Sequence, residues 1–188
     1  MNILLSFTPF IAFFALLRLV SPIAGLVAAL VVSVLLCARL WRRGEKIKIL
    51  EIGSLVLFAA LSAYTLLFAP AWTVATVRLA VDAGLLAIVL VSLIIDRPFT
   101  LQYAREQVPE HLWTAPLFLR ANRLITSVWA IAFAVLVAAD AMAEYTPAVP
   151  LWIDIAISVL ALLAAIRFTI WYPASLRERG ALATELPG

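Results

Sequence analysis

The sequence predicts an all-α, polytopic membrane bundle of about six helices with both termini cytoplasmic. Hydrophobic residues fill 65% of the 188 positions and charged residues only 13%, with a mean hydropathy of +1.09, outside the range of soluble globular domains. The apolar residues gather into runs that match the roughly 20 helical residues needed to cross a hydrocarbon core about 30 Å thick. None of these runs alternates with period two, so helices are favoured over barrel strands.

The expected spans are 3–20, 22–41, 48–69, 72–95, 123–142 and 150–171. They form one domain over 1–172, with a cytoplasmic loop at 96–122 and a cytoplasmic tail at 173–188. The first, "ILLSFTPFIAFFALLRLV", is apolar and N-terminal like a signal peptide, but it lacks a basic flank and a small-residue cleavage site and is read as retained. The second ends in "RLWRRGEKIK", with Arg39, Arg42, Arg43, Lys46 and Lys48. The connection after the fourth holds Arg97, Arg105, Arg120 and Arg123, and the tail adds Arg177 and Arg179. The connections at "VSP", "APAW" and "AEYTPAVPLW" carry no Lys or Arg, apart from Arg18 at the end of the first span. By the positive-inside rule, both termini are cytoplasmic. The same rule accounts for a sequence pI of 9.4, and no groove-reading motif accompanies the charge, so nucleic acid is not an expected partner. Pro70 before Trp72 and Pro150 before Trp152 mark hairpins at the outer face, since proline ends helices and tryptophan favours the headgroup level. The two halves show no convincing three-plus-three repeat of the kind many transporters have.

Chemistry-bearing motifs are few. Cys37 is the one cysteine and His111, after Glu110, the one histidine. Neither has neighbours spaced to hold a metal, and no nucleophile or phosphate-binding motif occurs. The expectation is a non-enzymatic protein with no metal and no cofactor. In the loop "DRPFTLQYAREQVPEHLWTAPLFLRANR", Phe99, Gln102, Tyr103, Arg105 and Trp113 mix aromatic and polar character. That mixture suits either a docking surface for a cytoplasmic partner or a linker lying along the membrane interface.

The stretch "VRLAVDAG" sets Arg78 and Asp82 four residues apart inside the fourth span. Counted from Trp72 at 1.5 Å per residue, they lie about 9 and about 15 Å deep. A charge near the midplane costs at least about 2.5 to 3.5 kcal/mol, so both should face the bundle interior. On one reading they neutralise each other along one helix face. On the other they join Asp154, with Ser158 one turn deeper, Asp140 and Arg18 in an intramembrane polar cluster centred on Arg78, suited to proton-coupled transport or anion binding. Ala80, Gly84 and Ala87 lie on a different face, where small residues admit a neighbouring helix. The span is therefore expected at the centre of the bundle.

Four tracts resemble, in order, the bacterial intracellular septation protein A family. "SFTPFIAFFALLRL" is similar to its F-x-P-x-x-x-F-F opening. "EKIKILEIGSLVLFAALSAYTLLF" matches its K-x-E and T-L-x-F stretch through Lys48, Glu51, Gly53, Thr65, Leu66 and Phe68. "DRPFTLQ" resembles its K-P-x-x-Q element, and "NRLITSVWAIAF" its R-L-T-x-x-W-A-x-F-F element through Arg123, Leu124, Thr126, Trp129, Ala130 and Phe133. The central loop is longer than the family's, and Ile125 splits the Leu-Thr pair. The resemblance implies a non-enzymatic scaffold of the bacterial inner membrane, concerned with the envelope and division. Its partners would be the lipid bilayer and other membrane proteins of division or elongation. The alternative, from the charged residues, is a small proton-coupled transporter or channel using Arg78, Asp82 and Asp154.

Overall fold

The computed structural model describes residues 3–68, 71–146, 151–178 and 180. Pro70, Pro150, Arg179 and positions 181–188 of the expected tail lie outside the described residues. Among the described residues every regular element is helical: α1 (Ile3–Ser6), α2 (Thr8–Leu19), α3 (Pro22–Arg42), α4 (Ile49–Phe68), α5 (Val74–Ile94), α6 (Phe99–Ala104), α7 (Pro116–Tyr145) and α8 (Leu151–Glu178). Two short 3-10 turns join α6 to α7. Five of the helices, α3, α4, α5, α7 and α8, are long and apolar enough to cross a membrane.

The expected first span is two pieces. Pro9 at the start of α2 has no N–H to continue the ladder, and the Thr8 hydroxyl bonds the Leu5 carbonyl at 2.6 Å instead. Residues 3–19 still rise about 25 Å at helical spacing. The fifth expected span is α7, which begins seven residues before the expected Arg123, with Pro116 in its first turn, where a missing N–H costs nothing. The sixth runs through Pro173 to Glu178, so the segment read as tail begins inside a helix.

Local chemistry sets the other ends. The Ser21 hydroxyl caps α3 by accepting from the Ala24 N–H, and Thr73 caps α5 by accepting from Thr76. At the end of α3, Gly44 adopts φ 66° and closes a pair of back-bonds, Gly44 N to Trp41 O and Glu45 N to Leu40 O. The end of α5 repeats this Schellman geometry with Asp96 at φ 55°. Aspartate tolerates the left-handed region better than most residues, and Pro98 then prevents the helix from resuming.

Successive helices pack antiparallel: α2 on α3, α3 on α4, α4 on α5, α5 on α7 and α7 on α8, with α6 laid against α7. The bundle therefore has a hairpin end, where α2–α3, α4–α5 and α7–α8 turn, and a loop end, where α6 and the 3-10 turns sit. The core runs between them through Phe10, Phe13, Phe58, Val81, Val89, Phe99, Trp129 and Phe133. Gly84 and Gly53 hold α4 and α5 close, since a Cβ at Gly84 would lie 2.2 Å from Leu57 and one at Gly53 2.7 Å from Ile88. This places α5 between α4 and α7, as its small-residue face predicts. Large apolar residues such as Leu35, Leu66, Ile131 and Leu160 face outward. That exposed apolar belt is a surface suited to lipid.

Candidate functional site

Asp140 on the last turns of α7 and Asp154 on the first turn of α8 reach Arg78 across the hairpin end. The Arg78 guanidinium meets Asp154 Oδ2 through Nη1 at 2.5 Å and Asp140 Oδ1 through Nη2 at 2.6 Å. Asp82, one turn deeper on α5, lies beside Asp140. Arg78, Asp82, Asp140 and Asp154 are all buried, the most exposed being Arg78 at 6%. Three helices thus meet on one cation.

The local Arg78–Asp82 ion pair expected from spacing is not formed. An arginine placed N-terminal to an acid is the weaker orientation for a pair four residues apart, and two acids on facing helices offer direct contact. Arg18 is also outside the cluster. Phe10, Phe13 and Leu17 take the inward face of α2, and Arg18, one residue further round, is exposed.

Charge does not balance in this site. One guanidinium faces three carboxyls, so a neutral cluster holds two protons. Asp82 Oδ2, both Asp140 oxygens, Asp154 Oδ1, Ser158 Oγ and the donor Arg78 Nε make no hydrogen bond in the cluster, so Asp140 meets Arg78 as an ion pair alone. Buried oxygens of this kind are costly in a low dielectric. Nearer the end of the bundle, Glu144 accepts from the Thr73 and Thr76 hydroxyls, both at 2.9 Å, placing a carboxylate at the N-terminus of α5 where the helix dipole favours it.

The loop end carries a second buried acid, Glu51, which is 1% exposed. Its Oε1 accepts from Ser6 Oγ at 2.6 Å and Tyr103 Oη at 3.0 Å. Its Oε2 accepts from the Lys48 N–H at 2.7 Å, which is half of a capping box for α4. Gln102 Oε1 takes the next N–H, from Ile49, at 2.8 Å. The Lys48 ammonium lies 4.3 Å above the Tyr103 ring and pairs with Glu106 at 2.8 Å. Burial and the adjacent Glu51 push the Tyr103 phenol above its ordinary range, so it remains a neutral donor. Burial works against charge on Glu106, but its cationic neighbours, Lys48 among them, outweigh it and hold that carboxyl below its ordinary value.

The loop residues expected at an interface divide in two. Phe99 and Tyr103 are buried in the core and present no aromatic docking face. Gln102 is the helix cap just described. Arg105 stacks over Trp113, 5.6 Å from its ring, and the Trp113 Nε1 donates to the Arg105 and Val108 carbonyls. Of the residues carrying the family resemblance, Thr126 shares a 2.7 Å hydrogen bond with Thr100, and Trp129 stacks on Phe7 and donates to Thr169 at 3.0 Å. Arg123 makes an exposed pair with Asp96 at 3.0 Å. Beside them, a cavity of about 210 Å³ opens among Tyr103, Val108, Phe118, Ile125 and Pro173. Sequence reading missed Glu51 as a buried acid, although its place three residues after Lys48 is a capping signal. It also passed over Arg167, a charge inside the last apolar run.

No group of His, Cys, Asp and Glu among the described residues is arranged to hold a metal. Comparison with protein-family models, with curated proteins and with solved structures finds no match to this chain.

Proposed function

We propose that the protein is a small proton-coupled transporter or channel whose working site is the Arg78, Asp82, Asp140 and Asp154 cluster. The observation that carries this reading is the surplus of carboxyls, three against one cation, buried where α5, α7 and α8 meet. A structural clasp needs one acid per cation. The extra acids give the site protons to hold and release at intramembrane depth, where ionisable residues serve as relays. Proton flux into proteoliposomes, followed with a pH-sensitive dye, tests it. The wild type should pass protons under an imposed gradient and Asp82→Asn should not. A wild type as tight as protein-free vesicles would leave the cluster a clasp and end the transport reading.

A second reading, the scaffold of the bacterial inner membrane that the family resemblance implies, is favoured by a different observation. The four tracts that carry the resemblance lie far apart in sequence, yet Ser6, Phe7, Lys48, Glu51, Gln102, Thr126 and Trp129 lie in adjoining contacts at the loop end. With Phe99 and Tyr103 buried, a division or elongation partner would meet the exposed Glu106, Glu110 and His111 on the cytoplasmic side. Replacing those three by alanine should abolish co-purification of a membrane partner while insertion stays intact. Unchanged capture would count against the scaffold.

A further inference from the structure

Helix α8 touches the bundle along one face, through Asp154, Ser158, Ala165 and Thr169. Its opposite face exposes Leu160, Leu163, Ile170 and Trp171, and among them Arg167. Arg167 has no ion pair or hydrogen bond to any described side chain. An arginine facing hydrocarbon requires an anion or water within reach of its guanidinium.

Depth identifies the anion. Asp154 and Arg78 are in contact and fix a common level on α8 and α5. From there Arg167 is thirteen residues along α8, about 20 Å, and the last residue of α5, Ile94, is sixteen residues along, about 24 Å. Arg167 therefore sits about 4 Å inside the loop end of the bundle. A side chain of its length reaches the headgroup level of the adjacent leaflet. Trp171, one turn further and 57% exposed, stands where tryptophan favours the interface. Between Ala164 and Ala174, two small residues, an open groove of about 490 Å³ runs past Arg167, Phe168 and Trp171.

We infer that this face of α8 binds a phospholipid of the loop-end leaflet, with the phosphodiester on the Arg167 guanidinium and an acyl chain along the groove. A planar guanidinium matches a phosphate through two parallel hydrogen bonds. A second copy of the chain fits less well, because a twofold contact along α8 would set one Arg167 against the other. The inference is independent of proton transport.

The test is native mass spectrometry and thermal unfolding of the full chain in detergent, with phosphatidylglycerol, with diacylglycerol of the same chains, or with inorganic phosphate. Phosphatidylglycerol should stay bound to the wild type and raise its unfolding temperature, whereas diacylglycerol and inorganic phosphate should do neither. Arg167→Gln should lower lipid retention about tenfold, Arg167→Lys less, and Arg120→Gln on the exposed surface of α7 not at all. Equal retention by Arg167→Gln, equal effect of diacylglycerol, or occupation by inorganic phosphate alone would overturn the inference. So would efficient cross-linking of an Ala164→Cys variant into a dimer from which lipid is excluded.

Discussion

Glu51 at the loop end and Asp82 at the hairpin end are equally buried, each 1% exposed, and their surroundings are opposite. Glu51 is one carboxylate met by two hydroxyls and a backbone N–H, with Lys48 beside it. Asp82 belongs to a group of three carboxyls sharing one arginine, and one of its oxygens lacks a partner. Burial therefore does not set the two acids apart; the balance of donors against acceptors does. On the transport reading proposed above, the surplus of carboxyls at the hairpin end holds exchangeable protons, whereas the satisfied Glu51 fixes the chain.

Breaking the hairpin end should have the largest effect. Arg78→Gln removes the cation from three buried carboxyls and should cost about 3 to 5 kcal/mol, or prevent purification of a folded bundle. Thermal unfolding in detergent reads it, and a second variant carrying both Arg78→Gln and Asp154→Asn should recover part of the loss. Full stability in Arg78→Gln would mean that the cluster does not hold α8 at all.

The loop end should answer differently. Glu51→Ala leaves the Ser6 and Tyr103 hydroxyls and the Lys48 N–H without their acceptor, a loss of about 3 kcal/mol. It should leave proton flux per folded molecule unchanged. A variant that lost flux in step with Asp82→Asn would erase the distinction between the two ends.

The smallest effect sharpens the comparison through pH. Because cationic neighbours, Lys48 among them, hold the Glu106 carboxyl below its ordinary 4.5, these contacts contribute above that value, and their contribution is lost as pH falls through the lower folded value. Glu106 is partly exposed, 41% at its side chain, so screening keeps the effect below about 1 kcal/mol. Unfolding temperatures measured from pH 6 to pH 3 should fall slightly less in Glu106→Gln than in the wild type. Identical profiles would show that these contacts add nothing.

Much of this molecule was written locally in the chain. Apolar run length and the want of period-two alternation specify a helical membrane bundle, because both are properties of consecutive residues. The caps at Ser21 and Thr73 and the stop at Asp96 and Pro98 are equally local. Even the membership of the polar cluster was legible for Arg78, Asp82, Asp140 and Asp154, since charges placed by helical depth at one level must find each other in a low dielectric. Tertiary structure alone decided the pairing. It set Asp82 beside Asp140 without an ion pair to Arg78 and left Arg18 on the outer face. It also buried Phe99 and Tyr103, and brought Tyr103 to Glu51 across 52 positions. Helical spacing tells which residues share a face of one helix, but which face meets which neighbour is settled by close packing, here by Gly53 and Gly84 letting α4 and α5 approach.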